Sequence, residues 1–186
     1  MSYFAVQVKT GREEIFLKSA KKVLDSKDVT FLWPRKNLRI RRRGKWQDKV
    51  ASVYPGYIFL ETQKIDNDLY WALRKTQGFY RFLRDNQNIE PLSKNDEEIL
   101  KHFISCGEII EKSRVAFDEN DRIHIISGPL KGLEGLIVKV NRRKGRVKIR
   151  LNLYNNTLYA DLGIETVASS KDENTYNSSL NSENQK

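Results

Sequence analysis

Over the first hundred residues the apolar positions alternate between two periods. Tyr3 to Val8, "YFAVQV", is aromatic and β-branched and predicts a buried strand. In "GREEIFLKSAKKVLDS", Phe16, Ala20, Val23 and Leu24 recur at helical spacing. Glu13 and Glu14 stand near the start of that helix and Lys21 and Lys22 near its end, the order a helix dipole favours. "VTFLW" (Val29 to Trp33) predicts a second strand, stopped by Pro34. Arg35 to Lys49 carries no sustained apolar period and predicts an extended hairpin or loop with Gly44 at its middle. "SVYPGYIFLE" (Ser52 to Glu61) predicts a strand that Pro55 and Gly56 interrupt, as at a bulge or sheet edge. "DNDLYWALRKT" offers Asp66 and Asp68 as caps ahead of Leu69, Ala72 and Leu73 on one helical face. "GFYRFLR" predicts a fourth strand, and a last helix begins after Ser93 with Ile99, Leu100, Phe103 and Ile104 inward.

The order βαββαβ plus one helix closes most simply as a ferredoxin-like sandwich over residues 1–106, with helices on one face of an antiparallel sheet. Residues 107–117, "GEIIEKSRVAF", predict a charged linker with few contacts of its own. Beyond it "RIHIIS", "GLIVKV", "GRVKIRL", "NTLYA" and "GIETV" are short strands punctuated by glycine, which predicts a small all-β barrel over 118–168. Alternation turns Lys148 and Arg150 outward and Val147, Ile149 and Leu151 into the barrel. The expected fold class is therefore α+β, in two units. The Ser- and Asn-rich segment 169–186 is too polar to offset its ordering entropy and predicts a disordered tail.

Charge changes the picture most. The formal net charge is +10, which favours polyanionic partners, nucleic acid before anionic membrane. No apolar run reaches the length of a membrane span and the start of the chain lacks a signal-peptide pattern, so a cytoplasmic protein without a membrane partner is expected. Cys106 is alone, and His102 and His124 lack ligand spacing, so no disulfide, metal or cofactor is expected. Glu13–Glu14 and Glu97–Glu98 are helix neighbours that point apart, and there is no nucleophile motif or P-loop; the chain does not read as an enzyme. Two basic patches stand out. Arg39, Arg41, Arg42, Arg43 and Lys45 lie in a stretch flanked by Trp33 and Trp46, and arginine beside an aromatic ring can hold a phosphate backbone and stack on a base. Arg142, Arg143, Lys144, Arg146, Lys148 and Arg150 form the second patch, in a segment with no acid from Leu136 to Ala160, so no local charge offsets it. Solvated surface charge is the alternative reading of both.

"RIHIISGPLKGLEGLIVKV" resembles the KOW motif, in which a strand enters a glycine-rich turn and leaves as a second strand; Gly128, Gly132 and Gly135 would allow positive φ there. "YFAVQVKTGREE", "VYPGYIFLE", "LYWALRKTQGFYRFLR" and "EPLS" resemble, in order, segments of the NGN domain of NusG-type transcription factors. Together the two modules resemble the NusG family over about residues 1–168. The basic insert and basic KOW hairpin are similar to the operon-specific antiterminators typified by LoaP.

That resemblance implies a monomer that binds the clamp helices of the largest RNA polymerase subunit and favours processive elongation and antitermination. Nascent RNA or non-template DNA would be its nucleic-acid partners, with the ribosome or other elongation factors as further partners. Tyr54, Pro55, Tyr57 and Phe59 match the family strand of the polymerase-binding surface, with core filling as the plainer alternative; Ile58 and Leu60 would face the other way. Lys9 and Arg12 match positions near the nucleic-acid-facing edge. Two other functions remain open: a general NusG factor coupling polymerase to the ribosome, and a KOW-type ribosome-associated RNA-binding protein.

Overall fold

The computed structural model describes residues 1–24, 28–83, 86, 88–154 and 156–167; the expected tail lies outside them. Strand β1 (Ser2–Val8) leads into helix α1 (Glu13–Val23) and strand β2 (Thr30–Leu32). A hairpin of β3 (Arg35–Arg42) and β4 (Lys45–Ser52) precedes β5 (Tyr57–Thr62). Helix α2 (Asn67–Lys75), β6 (Phe79–Phe82) and helix α3 (Lys94–Ser105) complete the first hundred residues. Two of the three helices start on the side chains expected to cap them. The Asp66 carboxylate accepts from the Leu69 N–H at 2.8 Å, and Ser93 Oγ accepts from the Asp96 N–H at 3.2 Å.

The sheet order β2-β5-β1-β6, antiparallel throughout, is that of the ferredoxin-like sandwich. The pleat divides β5 as the alternation requires. Ile58 and Leu60 join Phe4, Val6 and Val8 under Phe16 of α1 and Leu69 and Leu73 of α2. Tyr57 and Phe59 face the other way, with Leu100 and Phe103 of α3. The "YPGY" segment forms a turn rather than a bulge. The Tyr57 N–H donates to Tyr54 O at 3.1 Å, and Gly56 sits at φ +81°, where a Cβ would meet Thr10 Oγ1 at 2.7 Å. Proline presets the second residue of such a turn and glycine supplies the positive φ of the third, so the strand starts only after them.

The rest of the chain supplies β7 (Ile109–Ile110), β8 (Ser113–Phe117), β9 (Ile123–Ser127), β10 (Ile137–Asn141), β11 (Arg146–Leu153) and β12 (Asn156–Thr166). Five of these form one sheet in the order β10-β11-β12-β8-β9, with Val115, Val147, Ile149, Leu151, Ala160 and Leu162 buried. Three expectations need correction. The segment 107–117 is not a linker with few contacts: β7 pairs with β3, and β8 lies between β12 and β9. Its charged residues alternate with Ser113 and Val115, both fully buried, and that alternation is a strand pattern. "NTLYA" and "GIETV" are one strand, because Gly163 stays extended. Gly128 takes the positive φ expected of it (+97°), but Gly135 sits in a 3-10 turn without one.

The two units also share a core. One cluster runs from Tyr54, Phe59 and Phe103 through Ile110, Val115 and Leu130 to Val147 and Leu151. Polar contacts cross the same boundary: His102 Nε2 meets Pro129 O at 2.8 Å, and the Tyr154 hydroxyl donates to Glu90 O. A carbonyl can only accept, so His102 carries its proton on Nε2 and acts as a structural pin. Among the described residues no helix is long and apolar enough to cross a membrane.

Candidate nucleic-acid interface

The β3–β4 hairpin is built by its turn. Arg41 pairs with Trp46 and Arg42 with Lys45, leaving Arg43 and Gly44 at φ 50° and 79°. Positive φ at both central residues defines the type I′ turn, whose twist suits two-residue hairpins. Arg41 Nε closes it by donating to Gly44 O at 3.1 Å. Directly opposed residues share a face of an antiparallel pair. Arg39, Arg41, Trp46 and Asp48 therefore project from one side, and Ile40, Arg42, Lys45 and Gln47 from the other.

The second basic segment is a hairpin of another kind. Arg142–Lys144 forms a 3-10 turn between β10 and β11, capped by the Asn141 side chain accepting from the Lys144 N–H at 3.0 Å. Gly145 closes it in the left-handed region, at φ 58°. Along β11, Val147, Ile149 and Leu151 are buried while Lys148 and Arg150 point away, as alternation requires.

Folding brings the two segments together. Arg146 donates to Arg39 O at 2.6 Å across a sequence separation of 107. Between the hairpins lies a cleft of about 340 Å³ lined by Arg39, Trp46, Lys112, Arg142, Arg143 and Lys144, with Glu165 as its one acidic side chain. The Arg39 guanidinium stands 5.3 Å from the centre of the Trp46 ring, a cation–π arrangement, and Trp46 is 41% exposed. Gly163 permits the close seating: a Cβ there would lie 3.1 Å from Asn37 O of β3 and 2.9 Å from Lys112 Cγ.

The second patch is not free of local acids. Asp161, facing Lys148 across β11–β12, lies 3.2 Å from Lys148 Nζ and 3.6 Å from Arg146; Asp121 holds Arg142 at 2.7 Å, with the Arg142 guanidinium 3.5 Å above the Phe117 ring. These partners come from outside the acid-free stretch, so a linear count missed them. Among the described residues no ion pair holds Arg143, Lys144 or Arg150.

Sequence reasoning also missed Lys36. Only 4% exposed, it is carried into the contact between hairpin and β unit. Burial pushes its ammonium down to about 8; Asp161 pulls it back up, and Lys148 and Arg146 oppose that. Asn37 Oδ1 and Arg146 Nε, in the same contact, are buried without a hydrogen-bond partner among the described residues.

The remaining expected site residues lie elsewhere. Arg41, Arg42, Arg43 and Lys45 are exposed along the hairpin tip, outside the cleft lining. Lys9 and Arg12 are exposed in the β1–α1 turn. Of the aromatic surface only Pro55 is exposed. Tyr54, Tyr57 and Phe59 are buried, the Tyr54 ring packing edge-on against Phe59 at 5.0 Å and Phe103 at 6.1 Å. Helix α3 and the shared core account for that burial, which a strand taken alone does not reveal.

The family model described as "Transcription termination factor nusG" matches residues 1–101, and that of the KOW motif residues 119–150. The Thermus thermophilus "Transcription termination/antitermination protein NusG" is 24% identical over 182 residues, covering 90% of this chain and 97% of its own. The Borreliella burgdorferi protein of the same description is 25% identical over 133 residues, 68% of this chain and 72% of its own. The solved structure described as "Domain interaction in Thermotoga maritima NusG" matches at a TM-score of 0.53 and 18% identity, covering 87% of this chain and 93% of that one, a likeness of fold. With residues 1–101 of its ferredoxin-like unit matched and a KOW segment behind it, the chain belongs to the NusG family.

Proposed function

We propose that this chain is an elongation and antitermination factor that binds RNA polymerase and reads nucleic acid, RNA foremost, on particular operons. The observation that carries the nucleic-acid reading is the convergence of two remote basic segments on one cleft beside an exposed tryptophan. A merely solvated surface has no reason to gather Arg39, Lys112, Arg143 and Lys144 against their mutual repulsion. LoaP-type operon specificity agrees with this concentration of charge. Lys9, Arg12 and the hairpin-tip residues would extend the same field toward non-template DNA.

Polymerase would be engaged through the Tyr54–Phe59 surface, at the clamp helices of the largest subunit. Because Tyr54, Tyr57 and Phe59 are covered by α3 as well as by the shared core, that contact belongs to a state in which both α3 and the unit 113–167 have moved off this face. The cleft between the units is given up in that state, so nucleic acid would be read before polymerase is engaged. The unpartnered Asn37 Oδ1 and Arg146 Nε, and the buried charge of Lys36, make the contact between the two units costly enough to be separable. No bond is made or broken; the factor biases the clamp only by its differential affinity for the closed form.

A general factor that couples polymerase to the ribosome is the second reading, favoured by the near full-length match to the Thermus protein. In vitro transcription through a terminator on templates with different leaders separates the two. Readthrough on one leader supports the operon-specific role, and equal readthrough on all supports the general one. Unchanged termination on every leader ends both.

A further inference from the structure

We infer that the cleft between the two hairpins binds one unstacked ribonucleotide of an RNA loop, its base on Trp46, its phosphate at Arg143 and Lys144, and its ribose hydroxyl on Glu165. This rests on the RNA reading above and narrows it. Size comes first. A cleft of about 340 Å³ is at the small end of ligand sites, roughly 300–1,000 Å³, and suits one nucleotide rather than a duplex. A paired base is held in its stack, whereas loop bases can be splayed out and stacked on aromatic rings or guanidinium planes.

The lining supplies each contact that such a nucleotide needs. Trp46 keeps 41% of its surface exposed, and Arg39 lies over its ring, so a base added to it completes a layered stack. Arg143 and Lys144 are exposed and hold no ion pair among the described residues, so they can meet a phosphate without breaking a bond. Arg142 is already committed to Asp121 and to the Phe117 ring, and acts by fixing the turn that carries the other two. Glu165 is the anomaly. A carboxylate among cations weakens phosphate binding, yet a carboxylate can only accept, and the 2′-hydroxyl is the donor that distinguishes RNA from DNA. The site is composite. Trp46 comes from one hairpin and Arg143 and Lys144 from the other, and Gly163 lets the two approach.

The test is a gel-shift titration of the full chain with three probes: an RNA stem-loop, the same stem as a blunt RNA duplex, and the DNA stem-loop of equal sequence. The wild type should prefer the RNA stem-loop. Trp46→Ala should weaken stem-loop binding by about tenfold or more and leave duplex binding unchanged, the scale of one lost base stack. Glu165→Ala should raise DNA binding more than RNA binding and so narrow the preference. Gly163→Val, which removes no contact residue, should lower stem-loop preference by forcing the hairpins apart. Equal wild-type affinity for stem-loop and duplex, or an equal loss on both with Trp46→Ala, overturns the nucleotide site while leaving RNA binding intact. A DNA stem-loop bound as well as the RNA one overturns the role of Glu165 and the choice of RNA. No binding of any RNA at low salt overturns the inference and the RNA reading together.

Discussion

The two basic hairpins look alike in sequence and differ in what their inner faces do. The β10–β11 hairpin buries Val147, Ile149 and Leu151 in the C-terminal core, and three of its cations have acids beside them: Asp161 beside Arg146 and Lys148 on the stem, and Asp121 beside Arg142 in the turn. The β3–β4 hairpin buries only Leu38 and Lys36 near its base, and everything from Arg41 to Val50 is exposed. One hairpin is a structural element that carries charge, and the other is a charged arm that rests on it. Basic residues in equal density thus have unequal freedom, decided by which acids and apolar neighbours the fold supplies.

The largest expected effect tests that division. Ile149→Ala in β11 empties a fully buried position and should destabilise by about 2–5 kcal/mol. Ile40→Ala in β3, half-buried, should cost well under half as much. Urea unfolding of both variants measures the ratio. Equal losses would mean that the arm is as much a part of the core as β11.

Lys36 marks the seam between the two. Unfolded, it holds its proton to about 10.4. Folded, it gives the proton up at about 8 because burial disfavours the charge. Between those values the unfolded chain binds more protons, so this contribution raises stability as pH rises. Below about 8 the full penalty of burying the cation persists. Lys36→Met should therefore stabilise the protein near pH 7 by about 2–3 kcal/mol, with the gain fading as pH rises above about 8 and gone by about pH 10.4. Unfolding curves at several pH values decide it. A variant less stable than wild type at pH 7 would show that the Asp161 attraction outweighs desolvation.

The contrast between the hairpins also explains what the sequence could reveal. Strands and helices with a clear period, capped by Asp66 and Ser93, were legible because local chemistry sets them. So was the outward turn of Lys148 and Arg150, which follows from alternation alone. The burial of Tyr57 and Phe59 was not, because the residues covering them come from α3 and a core shared with the C-terminal unit. The pairing of Lys148 with Asp161 was hidden for the same reason: thirteen positions apart in the chain, the two become neighbours only through the β11–β12 register. Lys112 and Glu165 carried no signal as single charges, and only the cleft gives them meaning.

A smaller effect sorts the charges themselves. Replacing Arg143 and Lys144 together by Ala should lower the magnitude of the slope of log affinity against log salt by about 1.4 for a single-stranded site. Replacing Arg146 and Lys148 should lower it less, since Asp161 already offsets part of their charge. Binding titrations at several salt concentrations give both slopes. If the second pair mattered more, the β11 stem rather than the turn would be the main phosphate contact.

The smallest effect lies at the tip of the arm. Arg43 occupies the left-handed region at φ 50°, where Asn and Gly are at ease and a long side chain is not. Asn-Gly is the favoured pair for this turn, so Arg43→Asn should stabilise the hairpin by about 0.5 kcal/mol. It also removes a cation, and if Arg43 reaches nucleic acid the salt slope should fall by about 0.7. Greater stability with a flatter slope would mean that backbone strain is tolerated at the tip to keep a charge there, as expected of a functional position. Greater stability with an unchanged slope would leave the tip beyond the bound strand and confine the interface to the cleft. A loss of stability would refute the strain itself and point to a structural contact made by the Arg43 side chain.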